Sequence, residues 1–412
     1  MAKINIISGI QISNNPRVVK EADALTEAGH EVEVFSSILN RADASLETAL
    51  SKNKGWKSTP VIDNSSQSIA QQIRWFKVRS RRQLWNKIYR ASGWGNVRQL
   101  GYAAPEMLSL CRQRNAALNI VHLEEALWVG NKLLNDGERV AIDVEDWYSE
   151  DLSSKDKKNR PSYLLQRWEK RLLRDSCYAT TTSHVMGSAL AKAYRCTAPR
   201  VIYNTFSRKE RNLLDGKALD RHDHETPSII WFSQTVGPDR GLEVLIDALP
   251  HINIPVQIHI RGNCREGYEG RLRSRMPSDS KHHLFFHPSV PHHQLLSRLA
   301  EHDIGYAGEI SYCLNKNLTI SNKLFQYLLS GLTVLASDTA GQKEIADSHS
   351  EFIHVFKNGS ATDLAVTLNE MISNRVDLAR GKQSALQQAE SHYCWEESKQ
   401  VLLSSVSEAL SR

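Results

Sequence analysis

The sequence predicts an α/β protein made of two successive halves, each with a parallel sheet covered by helices. Short apolar strands alternate with amphipathic helices along the chain, which is typical of parallel sheets. Residues 205–227 are charged and lack apolar rhythm, and the alternation restarts at Ser228. The length of 412 residues allows two domains of ordinary size. Two such halves predict a ligand-binding cleft between them.

The first half is expected to span residues 1–204. Asn15-Pro16 starts a helix that Gly29 ends, because proline suits the first helical turn and glycine the position after the last. Residues 40–100 are expected to be irregular, polar at first and then basic. Strands are expected at 2–8, 31–36, 119–123, 139–144, 177–182 and 200–203.

The second half is expected to span residues 228–391, with 205–227 as the linker. Residues 392–412 are expected to form a last helix, and a crossing of this helix back to the first half is one option. Strands are expected at 228–232, 256–260, 284–287 and 304–307, and helices from Asp239 and over 291–301.

Composition indicates a globular cytoplasmic protein, with 41% hydrophobic and 24% charged residues. The six cysteines include no C-x-x-C pair, which argues against a disulfide framework and a thiolate zinc site. The first residues, MAKINIISG, lack the apolar segment of a signal peptide. No apolar run approaches the roughly 20 residues that span a bilayer. Five histidines within 282–293 match no common zinc spacing, so no metal site is expected.

Residues 74–98 concentrate positive charge in a chain of net charge +6. They contain eight lysines and arginines, five aromatic residues and no acid. One interpretation is peripheral contact with the anionic inner face of the plasma membrane. The other is a solvated helix whose aromatic residues pack inward. No nucleic-acid-binding motif accompanies the stretch, so we expect no nucleic-acid partner.

The segment Asn322–Ile345, NKLFQYLLSGLTVLASDTAGQKEI, is the most informative part of the chain. A polar step opens an apolar-periodic helix, Gly331 ends it, and a strand follows at once. The N-terminus of a helix presents free N–H groups that suit a diphosphate, and Lys323 adds a full charge. The alternative is that Ser321 only caps the helix and Lys323 is solvated.

Four segments carry a resemblance to a known family. They are NPRVVKEADALTEAGHEVEVFS, SHVMGSALAKAYRCTAPRVIYNTF, WFSQTVGPDRGLEVLIDAL and the Asn322–Ile345 segment. In order and spacing the chain resembles the retaining nucleotide-sugar glycosyltransferases of the GT-B fold, in particular family four. The resemblance implies two Rossmann-like α/β/α domains facing across a cleft.

The resemblance also implies an activity. Such enzymes move a sugar from a nucleoside diphosphate sugar to a hydroxyl of a glycan or lipid-linked acceptor, with retained configuration. The C-terminal domain binds the donor, the N-terminal domain binds the acceptor, and no further cofactor is implied. The absence of a D-x-D pair fits metal-free chemistry, and the absence of a P-loop argues against an ATPase. A role in bacterial surface polysaccharide synthesis is implied at the level of the family.

Donor-site residues follow from the matched segments. Arg240 falls where the family has a basic residue against the diphosphate, since a guanidinium binds phosphate in bidentate fashion. The alternative is a surface arginine. Lys323, with Ser321 and Asn322, is expected to complete the diphosphate site.

Two positions depart from the family pattern. Its two glutamates, eight residues apart, correspond to Leu318 and Gln326. Gln326 keeps an oxygen that can accept hydrogen bonds from the ribose, whereas Leu318 cannot replace a carboxylate. Glu309, directly after a strand, is expected to take over a donor-site role, with a solvated loop acid as the alternative.

In the first half, His122 matches a strand-end histidine of the family, and Glu124 stands where many members have a second histidine. A histidine satisfied within the core is the alternative for His122. Asp146 lies in an acidic cluster, DVEDWYSED, that is expected to bind or deprotonate an acceptor hydroxyl. The alternative for the cluster is helix capping and solvated loop charge.

Aromatic and glycine residues complete the expected site in the first half. Trp147 and Tyr148 are expected to stack on sugar. Gly9 allows a tight turn near a ligand, and Arg17 is expected to meet phosphate or an acidic acceptor.

Two other functions stay open from the sequence. A non-catalytic GT-B binding or scaffold protein would explain Leu318 and Gln326. A GT-B nucleotide-sugar epimerase would use the same donor site, whereas a phosphorylase would need a phosphate or cofactor site that the sequence does not show.

Overall fold

A computed structural model of the protein describes residues 1–278 and 281–411. The chain divides into two compact units, the first made of Met1–Ile202 with Lys399–Arg412 and the second of Tyr203–Ser398. The expected linker, 205–227, falls within the second unit and contains a short 3-10 helix, Arg208–Leu213.

The first unit contains a seven-stranded sheet in the order β3-β2-β1-β4-β5-β6-β7, with every neighbouring pair parallel. Its strands are β1 (Lys3–Ser8), β2 (Glu31–Ile38), β3 (Lys57–Asp63), β4 (Leu118–His122), β5 (Val140–Val144), β6 (Ala179–Thr181) and β7 (Arg200–Val201). Its helices are α1 (Pro16–Glu27), α2 (Ala44–Ser51), α3 (Ile69–Ser92), α4 (Val97–Leu100), α5 (Ala104–Arg114), α6 (Leu123–Asn135), α7 (Ser162–Asp175) and α8 (His184–Tyr194).

The central strands β4 and β5 are buried at every position, as expected for strands with helices on both faces. Helix α1 begins as the sequence predicts, because Pro16 occupies its first turn and the Asn15 side chain accepts a hydrogen bond from the Val18 N–H. Gly29 follows its end with φ of 87°, a left-handed conformation that favours glycine.

The second unit contains a six-stranded parallel sheet in the order β10-β9-β8-β11-β12-β13. Its strands are β8 (Ser228–Val236), β9 (Gln257–Cys264), β10 (His283–His287), β11 (Ile304–Ala307), β12 (Thr333–Ser337) and β13 (Ile353–Phe356). Its helices are α9 (Leu242–Ala248), α10 (Tyr268–Arg273), α11 (His292–Ala300), α12 (Leu314–Leu318), α13 (Asn322–Leu329), α14 (Ala340–Ala346), α15 (Ala361–Ser373) and α16 (Arg375–Ser391). The last helix, α17 (Trp395–Ser411), starts in this unit and ends in the first.

Two apolar clusters cover opposite faces of the second sheet. One packs α9 and α15 around Ile258 and Ile260, and the other packs α13 and α16 around Val334. Burial of these side chains from water is the main term that stabilises the unit.

The expectation of irregular structure over residues 40–100 is wrong, because this range holds α2, β3 and α3. Strand β3 carries Pro60 and lies at the edge of its sheet, where a missing N–H costs little. Helix α3 has only Val78 buried among its 24 residues, so it lacks the apolar core stripe that usually identifies a helix.

Candidate functional site

Each sheet has one point where the strand order reverses direction. In the first sheet this point lies between β1 and β4, and in the second it lies between β8 and β11. Ligands of open parallel sheets bind at the carboxyl ends of the strands beside such a point. The loops that follow these four strands are therefore the candidate sites of the two units.

In the second unit, the loops after β8 and β11 are in direct contact. Gly241 has φ of 77°, and a Cβ atom there would lie 1.9 Å from the Gly308 carbonyl oxygen. The Tyr306 hydroxyl donates a hydrogen bond of 2.8 Å to the Gly241 carbonyl. The contact requires glycine at position 241 and fixes the loop that carries Arg240.

Arg240 lies on the surface of that loop, two residues before α9 begins. Among residues 1–278 and 281–411, no carboxylate forms an ion pair with it. A guanidinium without an acidic partner, at the carboxyl end of β8, is able to bind a phosphate without first breaking an ion pair.

Helix α13 presents Lys323 and Ser321 toward Glu309, which follows β11. The Lys323 Nζ lies 2.9 Å from Glu309 Oε1, and the Ser321 hydroxyl donates to the same oxygen at 2.8 Å. Ser321 is the N-cap residue of α13, but its hydroxyl is bound to Glu309 and makes no capping hydrogen bond. The three residues form one polar cluster at the amino end of α13.

Electrostatics keep this cluster charged. Burial alone would raise the pKa of Glu309, but Lys323 and Lys316 outweigh it and hold the pKa at about 2. The Lys323 ammonium also lies 5.5 Å from the centre of the Trp231 ring, within cation–π range. One acceptor therefore takes one of the three N–H donors of Lys323, and the ammonium keeps the capacity to bind an anion.

The remaining donor-site candidates differ in exposure. Asn322, the first residue of α13, is exposed, whereas Gln326 in the next turn is only 2% exposed. Leu318 is 7% exposed at the end of α12, so its apolar side chain is buried and supplies no carboxylate.

In the first unit, Arg17 is buried and bound within the domain. Its guanidinium pairs in bidentate fashion with Asp143 at the end of β5, and Nη1 donates to the Ile202 carbonyl at 2.8 Å. Both side chains are at most 1% exposed. Arg17 is thus buried and paired with a carboxylate of its own unit. Its contact with a ligand stays a prediction.

His122, the last residue of β4, lies beside this ion pair with a fully buried ring. Its Nδ1 lies 2.9 Å from Glu145 Oε1 and its Nε2 lies 2.9 Å from Glu21 Oε2. Burial alone lowers the pKa of His122, but the charge of Glu21 and the hydrogen bonds to both carboxylates outweigh it and hold the pKa well above its usual value. Each ring nitrogen faces a carboxylate oxygen, which favours the protonated ring.

Ligand atoms of Glu21, His122 and Asp143 lie within 4.8 Å of one another, a spacing that a metal ion could use. The guanidinium of Arg17 already binds Asp143, and the imidazolium supplies a second positive charge. A divalent cation there would meet both charges, so the cluster suits an ion-pair network better than a metal centre.

Glu124 and Asp146 are close in sequence to members of this network, because Glu124 lies two residues after His122 and Asp146 directly follows Glu145. Glu124, in the first turn of α6, pairs with Arg160, and burial raises the pKa of Glu124 to about 7. Asp146 is half-buried in the turn after β5.

Trp147 and Tyr148 are 5% and 3% exposed, and the Trp147 indole donates to the Tyr194 hydroxyl. The expected stacking of these two aromatic rings on sugar is therefore wrong, because they pack inside the domain.

Gly9 faces a carboxyl group of the same unit. A Cβ atom at Gly9 would lie 2.7 Å from Glu125 Cγ, and one at Gly101 would lie 2.0 Å from Glu125 Oε2. Glu125 is 2% exposed, accepts the Ala103 N–H at 2.9 Å and has no partner for Oε1 among the described residues. Burial raises the pKa of Glu125 to about 7.

Sequence reasoning missed several residues of these sites. Glu21 is four residues after Arg17 and so lies on the same face of α1, a signal that the helical period could have given. Trp231, beside Lys323, and Asn358, which donates to the Glu309 carbonyl at 2.6 Å, are distant in sequence and left no such signal.

Comparisons with known proteins bear on the fold. No family model matches the sequence, and no curated protein matches it. Among solved structures, the sucrose-phosphate synthase of Thermosynechococcus elongatus superposes with a TM-score of 0.71 at 12% identity, covering 100% of both chains. HepE of Anabaena, in complex with UDP and glucose, superposes with a TM-score of 0.66 at 14% identity, covering 99% of this chain and 100% of its own.

Two further structures share the architecture. WaaG, a glycosyltransferase involved in lipopolysaccharide biosynthesis, has a TM-score of 0.60 at 10% identity, covering 97% of this chain and 98% of its own. A putative UDP-N-acetylglucosamine 2-epimerase of Listeria monocytogenes has a TM-score of 0.59 at 9% identity, covering 100% and 97%. With the two parallel sheets, these likenesses show that the chain has the two-domain GT-B fold of glycosyltransferases.

Proposed function

We propose that the protein is a retaining glycosyltransferase that moves a sugar from a nucleoside diphosphate sugar to a hydroxyl group. The observation that carries this proposal is the placement of Lys323 and Arg240 beside the reversal point of the second sheet. Two cations there match the charge of a leaving diphosphate. HepE binds UDP and UDP-glucose in its crystals, which supports a nucleotide-sugar donor.

The chemistry follows from these charges. As the bond from the anomeric carbon to the diphosphate breaks, negative charge develops on the leaving oxygen, and Lys323 and Arg240 stabilise it without a metal ion. In a front-face reaction the leaving oxygen takes the proton of the attacking hydroxyl, so the sugar keeps its configuration. Glu309 orients Lys323 and is the carboxylate nearest to it. Retention of full activity in excess chelator would support the metal-free mechanism.

Donor binding tests the proposal directly. A thermal-shift panel of uridine, guanosine, thymidine, adenosine and cytidine diphosphates is expected to give one stabilising nucleotide. Lys323→Ala is expected to weaken its binding about 30- to 100-fold by calorimetry, because a charge-assisted contact is lost. Lys343→Ala, an exposed lysine of α14, is the matched control and should bind as the wild type does. Unchanged affinity in Lys323→Ala would defeat the assignment.

An epimerase is a second candidate, because the Listeria structure shares the fold and the chain lacks both usual glutamates at Leu318 and Gln326. Product analysis separates the two functions. A transferase releases nucleoside diphosphate and forms a glycoside. An epimerase forms no glycoside and returns either the epimeric nucleotide sugar or, with water, the free epimeric sugar and nucleoside diphosphate. Binding of nucleotide with neither product would indicate a scaffold protein.

Helix α3 supports a proposal about the acceptor. Ile69, Ile73, Phe76 and Leu84 are 74%, 62%, 72% and 57% exposed. Their spacing places them on one face of the helix. Three exposed cations flank that face, Lys77, Arg79 and Arg90, and exposed Lys87 lies on it. An apolar stripe bordered by cations suits an anionic bilayer surface. In the described part of the chain, no helix is long and apolar enough to cross a membrane.

We therefore propose peripheral contact of α3 with the cytoplasmic face of a membrane and a glycan or lipid-linked acceptor, as in surface polysaccharide synthesis. Co-sedimentation with phosphatidylglycerol vesicles tests the contact. Ile73→Ser with Phe76→Ser should lower the bound fraction at least fivefold. Val366→Ser with Val376→Ser, two exposed valines of the second unit, is the control. Equal binding to neutral phosphatidylcholine vesicles would contradict the role of charge.

A further inference from the structure

We infer that Glu145 is an acceptor-binding residue, whose free carboxylate oxygen takes a hydrogen bond from a hydroxyl of the acceptor, and that His122 and Glu21 are the residues that position it. The inference rests on the proposed transferase function and names the acceptor as a hydroxyl-bearing sugar. It concerns a residue different from the neighbouring Asp146.

Glu145 has one engaged and one unengaged oxygen. Its Oε1 accepts hydrogen bonds from the Asn15 side chain at 2.8 Å and from His122 at 2.9 Å. Within residues 1–278 and 281–411, no hydrogen bond ends on Oε2. The side chain keeps 15% of its surface exposed, whereas His122 and Asp143 are fully buried. The carboxylate is thus fixed at one oxygen and accessible at the other.

The groups behind Glu145 explain why it is fixed. His122 bridges Glu145 and Glu21 through its two ring nitrogens, so the ring cannot turn without losing a hydrogen bond to a carboxylate. Asp143 lies 3.7 Å from Nδ1 of the same ring and is itself held by Arg17. Arg17 and His122 therefore lie between the carboxylates of Asp143, Glu21 and Glu145. Because each of these side chains has a partner of opposite charge, the side chains are held in place.

The location of Glu145 matches that of a ligand group. It follows β5, the strand beside β4, and it accepts a hydrogen bond from Asn15 in the segment after β1, so it lies at the carboxyl end of the sheet one strand away from the reversal point. An ionised carboxylate accepts a stronger hydrogen bond from a hydroxyl than a neutral oxygen does. Glu145 takes no proton in the reaction. The acceptor oxygen bonds to the anomeric carbon, the anomeric carbon–phosphate oxygen bond breaks, and the hydroxyl proton passes to the departing diphosphate.

The test measures how the full-length enzyme divides its donor between two products. The donor is the nucleotide sugar selected by the thermal-shift panel, and the acceptors are octyl glycosides of glucose, galactose, mannose and N-acetylglucosamine. Chromatography gives the ratio of sugar transferred to the octyl glycoside to sugar released into water. This ratio reports acceptor positioning, since damage to the fold lowers both products together.

Glu145→Gln is expected to lower the ratio about 30-fold and to raise the KM for the octyl glycoside. His122→Gln should lower the ratio about tenfold, because the hydrogen bond that fixes Glu145 is lost. Glu145→Asp, which keeps the charge but shortens the side chain, should fall between the wild type and Glu145→Gln and serves if Glu145→Gln unfolds. Glu31→Gln, an exposed glutamate at the amino end of β2, is the matched control and should keep the wild-type ratio.

Three results would overturn the inference. They are an unchanged ratio in Glu145→Gln, a parallel fall of both products in every Glu145 variant, and no transfer by the wild type to any octyl glycoside although the donor is hydrolysed. Failure of the wild type to bind any nucleotide sugar would instead defeat the proposed function, so the two failures are distinguishable.

Discussion

The carboxyl edges of the two sheets have similar topology but opposite electrostatics. At the first edge, Arg17, Asp143, His122 and Glu21 are buried and satisfy one another. At the second edge, Arg240 is exposed without an ion-pair partner in the described residues, and Lys323 shares a half-buried carboxylate. The same strand arrangement therefore supports a closed network in one unit and an open cationic site in the other.

This difference shows how burial decides what a charge can do. A buried ion pair resists exchange, because breaking it leaves an uncompensated charge in a medium of low polarity. A half-buried pair exchanges its partner more easily, since water and a ligand can reach it. The first edge is suited to hold a residue such as Glu145 in place, and the second is suited to receive an anion.

The largest expected effect on stability is at the carboxyl edge of the first sheet, called the closed edge because its buried charges are paired with one another. Arg17→Met removes the bidentate partner of the buried Asp143 and should lower the free energy of unfolding by about 3 to 5 kcal/mol, measured by urea denaturation. Adding Asp143→Leu to the same protein should recover a substantial part of this loss, because no unpaired charge remains. A loss below about 1 kcal/mol for Arg17→Met would show that the edge is open.

The second prediction concerns Glu125, whose pKa burial raises to about 7. The folded form binds its proton more tightly than the unfolded form, so this carboxyl group contributes stability at low pH that is lost as pH rises from about 4.5 to about 7. Glu125→Gln should remove that loss and exceed the wild type in stability by about 2 to 3 kcal/mol at pH 8 relative to pH 4. Melting temperatures across this pH range measure the effect.

An exposed glutamate gives the control for this pH dependence. Glu266→Gln should follow the wild-type curve across the whole range, since its side chain is solvated. Parallel curves for Glu125→Gln and the wild type would show that Glu125 ionises without cost and would contradict its closed environment.

At the open edge, Arg240→Ala should weaken binding of the selected nucleoside diphosphate about tenfold, or about 1.4 kcal/mol. The melting temperature of the unliganded protein should not change, because Arg240 has no acid to release. Arg380→Ala, another exposed arginine, should leave the affinity unaltered. A lower melting temperature in Arg240→Ala would assign the residue a structural role.

The smallest expected effect comes from Glu309→Gln. Removal of its charge frees Lys323 and lessens repulsion of phosphate, so free nucleoside diphosphate should bind about three- to fivefold more tightly by calorimetry. Glu351→Gln, an exposed glutamate of the same unit, is the control. Weaker binding in Glu309→Gln would mean that the ion pair between Lys323 and Glu309 must stay intact for the nucleotide to bind.

The sequence predicted most of the fold because its signals are local. Helix α13 begins at Asn322, within the predicted polar step, and Gly331 follows its end with φ of 73°. The surroundings of Arg17 were beyond local reasoning, since its partner Asp143 is 126 residues away. The same holds for His122, whose two carboxylate partners come from α1 and from the turn after β5. Strand ends could be predicted, but which side chains meet there depends on tertiary packing.

The contact between Gly241 and Gly308 limits which substitutions the loop that carries Arg240 can accept. A side chain at either position would collide with neighbouring atoms at about 2 Å, the Gly308 carbonyl in one case and the Tyr306 hydroxyl in the other. Libraries that vary these two glycines would lose the geometry of the Arg240 loop. Asn322 and Arg265 are exposed in the same unit, so side chains introduced there would meet solvent instead of packed atoms.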